Sequence, residues 1–296
     1  MLTSTFNAIL APYKTLIETD LSNSVQQLGP PGKIRDACQY ALLSGGKRFR
    51  PILVLMIAKA LGHHANVLSA ALGIEFLHTA SLIADDLPCM DNDAERRNQP
   101  SVHCVYGEDV ALLSTYALIA AGYGNLAQNT QILKNSTLFF ATSADHRCTI
   151  ALQNVSDNTG LQGVTGGQFL DIYHKDHSIV TLMEIMQKKT ATLFEVSFTL
   201  GWLFGGGALE QLSLIKQSAN HFGIAFQLAD DLEDMLQDQQ KENALNVANI
   251  LGKSHTIQIF EHEIAKFEHI IAALKLDKSE LQALTDCLVQ KVQQIK

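Results

Sequence analysis

The chain has 296 residues, 47% of them hydrophobic and 18% charged, with 30 acidic against 22 basic side chains and a net charge of −8. That apolar share supplies a large core, and the acid excess speaks against the basic face of a nucleic-acid binder. The five cysteines (Cys38, Cys89, Cys104, Cys148, Cys287) are dispersed without a Cys-x-x-Cys pair or zinc spacing, so they read as reduced thiols of a cytoplasmic protein.

No basic stretch leading into an apolar run is found near residue 1, so no signal peptide is read there. Prolines number only 6, and apolar residues recur at i, i+3, i+4 and i+7. This spacing predicts helices over 33–43, 52–61, 66–85, 109–127, 179–204, 209–236 and 257–273. Gly-Pro-Pro-Gly at 29–32 and the polar stretch Gln153–Gly160 read as connections. The longest apolar stretch, Ala111–Gly124, is broken by Ser114, Thr115 and Tyr116, and falls short of the ~20 residues of a membrane span. Without period-two runs, repeats or linkers, the expectation is one all-α domain over 1–296, with no membrane span and no nucleic-acid partner.

In chain order, the first unusual feature is Gly45-Gly46-Lys47-Arg48-Phe49-Arg50-Pro51, which concentrates cations behind two glycines in a chain otherwise sparing with them. Backbone N–H groups and arginine forks suit phosphate oxygens, although a basic turn alone looks the same. His78 lies two helical turns before the next motif on about the same face; in isolation it reads equally as a satisfied core histidine.

Then Asp85-Asp86-Leu87-Pro88-Cys89-Met90-Asp91-Asn92-Asp93 closes an apolar helix. Carboxylates crowded at the negative end of a helix repel one another and the helix dipole. Pro88 must interrupt the helix, which lets Asp91 and Asp93 fold back toward Asp85. Arg96-Arg97 follows, as a surface pair could. Lys189-Thr190 sits in a mostly apolar helix, where a snorkelling lysine is the plain alternative. Last comes Phe226-Gln227 with Asp230-Asp231-Leu232-Glu233-Asp234, whose Gln227, Asp230 and Asp234 share one helical face. Either acidic cluster alone could be a solvated helix end. Two of them in apolar helices, with no Cys or His pair beside them, suit magnesium bridged to substrate phosphates.

Taken together, these motifs resemble the trans-prenyl diphosphate synthases, the family of farnesyl and geranylgeranyl diphosphate synthases, from about Tyr40 to Gly252. The order is Gly45–Pro51, His78–Asp91, Arg96-Arg97, Gly166-Gly167-Gln168 with Asp171, Lys189-Thr190, and Phe226–Asp234. The resemblance implies an isoprenoid-synthase helical bundle around a central cleft. It implies condensation of isopentenyl diphosphate with a dimethylallyl, geranyl or farnesyl diphosphate, and a homodimer packed through helices such as 109–127.

It also implies roles. Asp85, Asp91 and Asp230 would hold Mg2+, three ions bridging the allylic diphosphate, supported by Asp86, Asp231 and Asp234. Arg96 and Lys189 would contact that diphosphate; Lys47, Arg50, His78 and Arg97 would hold isopentenyl diphosphate. Gln168, Asp171, Thr190 and Gln227 would line the reacting region.

Product length should be set before Asp85, where one helical turn rises about 5.4 Å, roughly one extended isoprene unit. Ser81 and Ala80 are small, which leaves a tunnel open there, with Leu77 or the Phe76 turn as its floor. A C20 product, geranylgeranyl diphosphate, is therefore expected, with C15 farnesyl diphosphate as the alternative. A terpene cyclase would not need the Lys47, Arg48 and Arg50 anion site, and a non-catalytic synthase subunit should have eroded aspartates.

Three departures from the family pattern stand out. Asn98 replaces a glycine, Thr115-Tyr116 replaces a Gly-Asp pair, and the stretch Gln237–Asn243 is short, with only Lys241 to clamp diphosphate.

Overall fold

The computed structural model describes residues 4–176, 178–238 and 246–295. The chain is helical almost throughout: α1 (Ser4–Ser24), α2 (Lys33–Leu43), α3 (Phe49–Ala60), α4 (Leu68–Asp85), α5 (Val102–Tyr106), α6 (Glu108–Lys134), α7 (Ala144–Thr159), α8 (Val164–Ile172) and α9 (Ile179–Met186). A π-turn (Gln187–Ala191) joins α9 to α10 (Thr192–Phe204), and α11 (Leu212–Asp238), α12 (Val247–Leu251), α13 (Lys253–Ala273) and α14 (Ser279–Ile295) follow.

α10 is largely apolar because it is buried from Leu193 to Phe204 except at Glu195. Phe49 of α3, Phe194 and Phe198 of α10, Phe222 of α11 and Phe267 of α13 meet in one aromatic cluster, with Phe222 and Phe267 ring centroids 5.1 Å apart. On the other side α4 lies along α6. A Cβ on Gly73 would stand 3.1 Å from the Gly122 carbonyl oxygen, and one on Gly122 would stand 2.9 Å from Leu77 Cγ. The acidic motifs lie on two core helices, one at the C-terminal end of α4 and one within α11.

Several expectations need correction. Gln153–Gly160 is not a connection: α7 runs to Thr159. Its polar residues looked solvated, but Asn154 and Asn158 are buried and donate to Glu195 Oε1 at 2.6 and 3.1 Å. The helix predicted over 109–127 continues to Lys134, since buried Asn129 turns its Oδ1 to the Ala70 N–H in the first turn of α4. The predicted helix 179–204 is interrupted by the π-turn. Helices α1, α5, α7, α8, α12 and α14 were not anticipated.

α6, longer than the stretch Ala111–Gly124, reaches the length and apolar composition that could cross a membrane. Here its inner face packs on α4.

Glu95–Arg96 and Gln99–Pro100 form a minimal hairpin, pairing Glu95 with Pro100 and Arg96 with Gln99. Its turn residues Arg97 and Asn98 both have positive φ, 56° and 61°. Such a turn favours Gly or Asn at its second central position, so Asn98 meets the local requirement that a glycine would meet. Thr115 is buried with its hydroxyl donating to the Leu112 carbonyl, while Tyr116 is 59% exposed. Residues 239–245, including Lys241, lie outside the described residues.

Candidate active site

The first acidic motif turns back as Pro88 requires. The Asp91 N–H donates to the Asp85 carbonyl at 2.9 Å, and Asn92 takes a positive φ as its N–H reaches the Leu87 carbonyl. Burial pushes the Asp85 carboxyl up to about 7; nearby Lys189 opposes this, and Asp91 adds to it. Asp86 is buried and accepts from Arg96 Nε at 2.9 Å and from its terminal nitrogen, which also reaches Asp93 at 3.0 Å. Arg96 is thus held by carboxylates.

α8 faces this motif. Buried Gln168 donates its Nε2 to Asp91 Oδ1 at 2.9 Å, and Asp171 is paired with Lys189. The approach depends on Gly167, where a Cβ would stand 2.4 Å from the Lys189 nitrogen. On the opposite side a Cβ on Gly223 would stand 2.8 Å from Ala191 Cα. Glycines of α8 and α11 therefore grip the π-turn, and such turns aim side chains that a regular helix would misdirect. Burial disfavours the Lys189 ammonium, but Asp171, Asp91 and Asp85 outweigh it and hold its pKa above the usual lysine value.

From Thr190 a hydrogen-bond chain runs to the second motif: Thr190 Oγ1 to Gln227 Oε1 at 3.0 Å, then Gln227 Nε2 to Asp231 Oδ1 at 2.8 Å. Asp231 is buried and also accepts the Val247 N–H through Oδ2 at 2.9 Å, so it supports the wall. Asp171, Lys189, Thr190, Gln227 and Asp231 line one cavity of about 140 Å3, closed by Leu182, Ile185, Met186 and Val247. Asp234, also on α11, is partly buried.

Asp230 is flanked by cations, Lys47 at 3.7 Å and Lys291 at 3.1 Å. Lys291 also reaches Glu233 at 2.7 Å. Burial opposes its charge, but Asp230 and Glu233 raise its pKa above the usual lysine value.

The basic motif splits in two. Arg48 is not part of an anion site, contrary to the sequence reading. Its φ of 52° turns it inward, where its side chain is 0% exposed and paired with Glu75 at 2.5 Å and Glu18 at 2.8 Å. Arg50 lies over the Phe194 ring, and burial lowers its pKa to about 10. Burial first, then the arginines around it, hold His78 well below its ordinary value. The neutral His78 ring therefore accepts from Arg50 at 3.2 Å through Nε2.

Arg97 donates to the Gly45 carbonyl at 2.5 Å, and a Cβ on Gly46 would stand 2.9 Å from its Cζ. Gly46, Lys47 and Arg97 line an open cavity of about 630 Å3 together with Lys14 and Asn7 from α1. The sequence reading missed Lys14, which has no motif around it. It also missed Glu75, whose place on the apolar face of α4 was the available signal. Leu77 and Ala80 are buried, and the Ser81 hydroxyl donates to the His78 carbonyl at 2.9 Å.

Among the described residues, no three His, Cys, Asp or Glu side chains are grouped as a ready metal cage. The donors nevertheless fit magnesium: they are hard carboxylate oxygens, and burial, with Asp91 adding to it, disfavours a charge on Asp85 that a divalent cation would stabilise.

This chain belongs to the polyprenyl synthetase family, whose model matches residues 31–261. It is 36% identical over 215 residues to a chloroplastic geranylgeranyl pyrophosphate synthase of Capsicum annuum, covering 71% of this chain and 56% of that protein. It is also 36% identical over 220 residues to a heterodimeric geranylgeranyl pyrophosphate synthase large subunit 2 of Arabidopsis thaliana, covering 72% of this chain and 55% of that protein. The chain thus spans little more than half the length of these relatives. The crystal structure of a geranyltransferase from Legionella pneumophila superposes with a TM-score of 0.82 at 26% identity, covering 98% of this chain and 99% of that one.

Proposed function

We propose that this chain condenses isopentenyl diphosphate with an allylic diphosphate. The observation that carries the reading is the cavity lined by Lys14, Lys47 and Arg97, with no carboxylate among its described lining residues, whose Lys47 also reaches Asp230 of the second acidic motif. A condensing enzyme holds two diphosphates, and a cyclase holds one.

In this reading Asp85 and Asp91 on one wall and Asp230 on the other hold magnesium, and Asp86, Asp231 and Asp234 support them. Bound there, magnesium would neutralise the leaving diphosphate. Lys189 and Arg96 bind the allylic diphosphate and favour breaking its C–O bond. Leu182, Ile185, Met186 and Val247 keep water from the resulting allylic cation. Lys47, Arg50 and Arg97, with Arg50 oriented by His78, hold isopentenyl diphosphate so that its double bond attacks that carbon. The proton then lost passes to the departing diphosphate. Gln168 and Asp171 keep Asp91 and Lys189 in place, and Thr190 and Gln227 do the same for Asp231.

The proposed product is geranylgeranyl diphosphate, with Ala80 and Ser81 leaving room and Leu77, closed against Gly122, as the floor. We also propose a cytoplasmic homodimer packed through the outer face of α6, where Leu112, Leu113, Tyr116 and Ile119 are exposed. A subunit of another sequence is the alternative, since one relative is named as part of a heterodimer.

A pyrophosphate-release assay tests the reading. Release that requires both substrates and Mg2+ supports it; release from the allylic diphosphate alone points to a cyclase.

A further inference from the structure

Lys291 stands far in sequence from either acidic motif, on α14, and no motif marks it. Its side chain is only 6% exposed, yet its ammonium sits 3.1 Å from Asp230 Oδ1 and 2.7 Å from Glu233 Oε2. Asp230 and Glu233 are three apart on α11, so their carboxylates are neighbours and repel each other. A buried lysine needs partners, and here a different helix brings it to both carboxylates at once. Lys47, a second cation paired with Asp230, is 54% exposed and stands at 3.7 Å, a looser contact.

Asp230 is the residue of this wall to which the proposed function gives a magnesium ion, so two kinds of cation would share one carboxylate. We propose that Lys291 is a built-in counter-cation of the second acidic wall. In the metal-free chain its ammonium neutralises Asp230 and holds it in place. A divalent cation carrying a diphosphate takes over that neutralisation when substrate binds. The proposal rests on the reading of Asp230 as a metal ligand. Lys291 acts through Asp230, so it is a positioning residue.

The difference from an ordinary structural ion pair is measurable. A purely structural lysine stabilises the fold equally with and without metal, whereas a stand-in matters most when the metal is absent. The test is the melting temperature of the full chain and of Lys291→Met, Lys291→Gln and Lys291→Arg, each in EDTA and in Mg2+ with inorganic pyrophosphate. Lys291→Met should melt several degrees below the unsubstituted chain in EDTA, and at least half of that deficit should disappear with Mg2+ and pyrophosphate. Lys291→Arg should recover most of the loss in EDTA. If Lys291→Met does not fold, Lys291→Gln gives the same comparison.

Equal deficits in both conditions, with the unsubstituted chain raised by Mg2+ and pyrophosphate, would overturn the inference and leave the proposed function standing. An unsubstituted chain that Mg2+ and pyrophosphate do not stabilise would overturn both, because no metal would exist for Lys291 to replace.

Discussion

Gly167 of α8 lies against the backbone of Lys189, so close that a Cβ would meet the Lys189 nitrogen at 2.4 Å and the Lys188 carbonyl carbon at 2.7 Å. Neither atom belongs to a flexible side chain, so any larger residue must push the π-turn away. Gly167→Ala should move Lys189 off Asp171 and lower kcat by at least about tenfold, since a small misplacement of a positioned group can cost far more. The expected signature is a loss in kcat together with a melting temperature lowered by a few degrees, because the clash is with backbone, read from steady-state kinetics and thermal unfolding together. Unaltered kcat would mean that the π-turn does not set the geometry of Lys189.

Glu75 is the anion of a buried cation pair, 2.5 Å from Arg48 and 3.9 Å from Arg97. Glu75→Gln leaves Arg48 with Glu18 alone among carboxylates and removes the charge facing Arg97. Breaking a buried pair by removing one partner costs about 3–5 kcal/mol. Chemical denaturation should therefore show a midpoint well below that of the unsubstituted chain.

Asp85 gives a pH dependence of stability. Burial raises its folded carboxyl to about 7, whereas an unfolded aspartate titrates near about 4. Between these values the folded chain binds the proton more tightly. The contribution of Asp85 to stability is present at low pH and is lost as pH rises through about 7. Asp85→Asn removes the charge that burial penalises, so in EDTA at pH 8 it should melt a few degrees higher than the unsubstituted chain. At pH 4 the difference should vanish. Melting curves across pH 4–8 check both ends.

Lys14 shares the basic cavity with Lys47 and Arg97. Lys14→Ala should raise KM for isopentenyl diphosphate a few-fold and leave KM for the allylic diphosphate unchanged. An equal rise in both would move Lys14 out of the second diphosphate site.

Ala80 is buried on α4 one turn from Leu77, the residue closed against Gly122. Ala80→Phe should shorten the product by one isoprene unit, as read by mass spectrometry. An unchanged product would place the growing chain elsewhere.

The helical class and the placement of the two acidic motifs on core helices were legible because they rest on local signals: apolar periodicity, carboxylates crowded at a helix end, and a proline that turns Asp91 back. What stayed hidden depends on partners distant in the chain. Arg48 looked like its neighbours Lys47 and Arg50 until a left-handed backbone angle turned it to Glu75 and Glu18. Gln153–Gly160 looked solvated because nothing local signals that Glu195 of α10 accepts from Asn154 and Asn158. Asn98 looked like a loss, yet it satisfies a turn whose φ is positive. Lys14 and Lys291 carry no motif at all and reach the site only because α1 and α14 close over it.

The central claim is a condensation of two diphosphates, and the most direct test follows carbon. Purified chain, Mg2+, isopentenyl diphosphate and each of the C5, C10 and C15 allylic diphosphates are incubated, and the products are read by mass spectrometry. The account predicts a C20 diphosphate from every starter, abolished by EDTA, by Asp85→Ala and by Asp230→Ala. No product longer than any starter, from a folded protein with both substrates present, would contradict it.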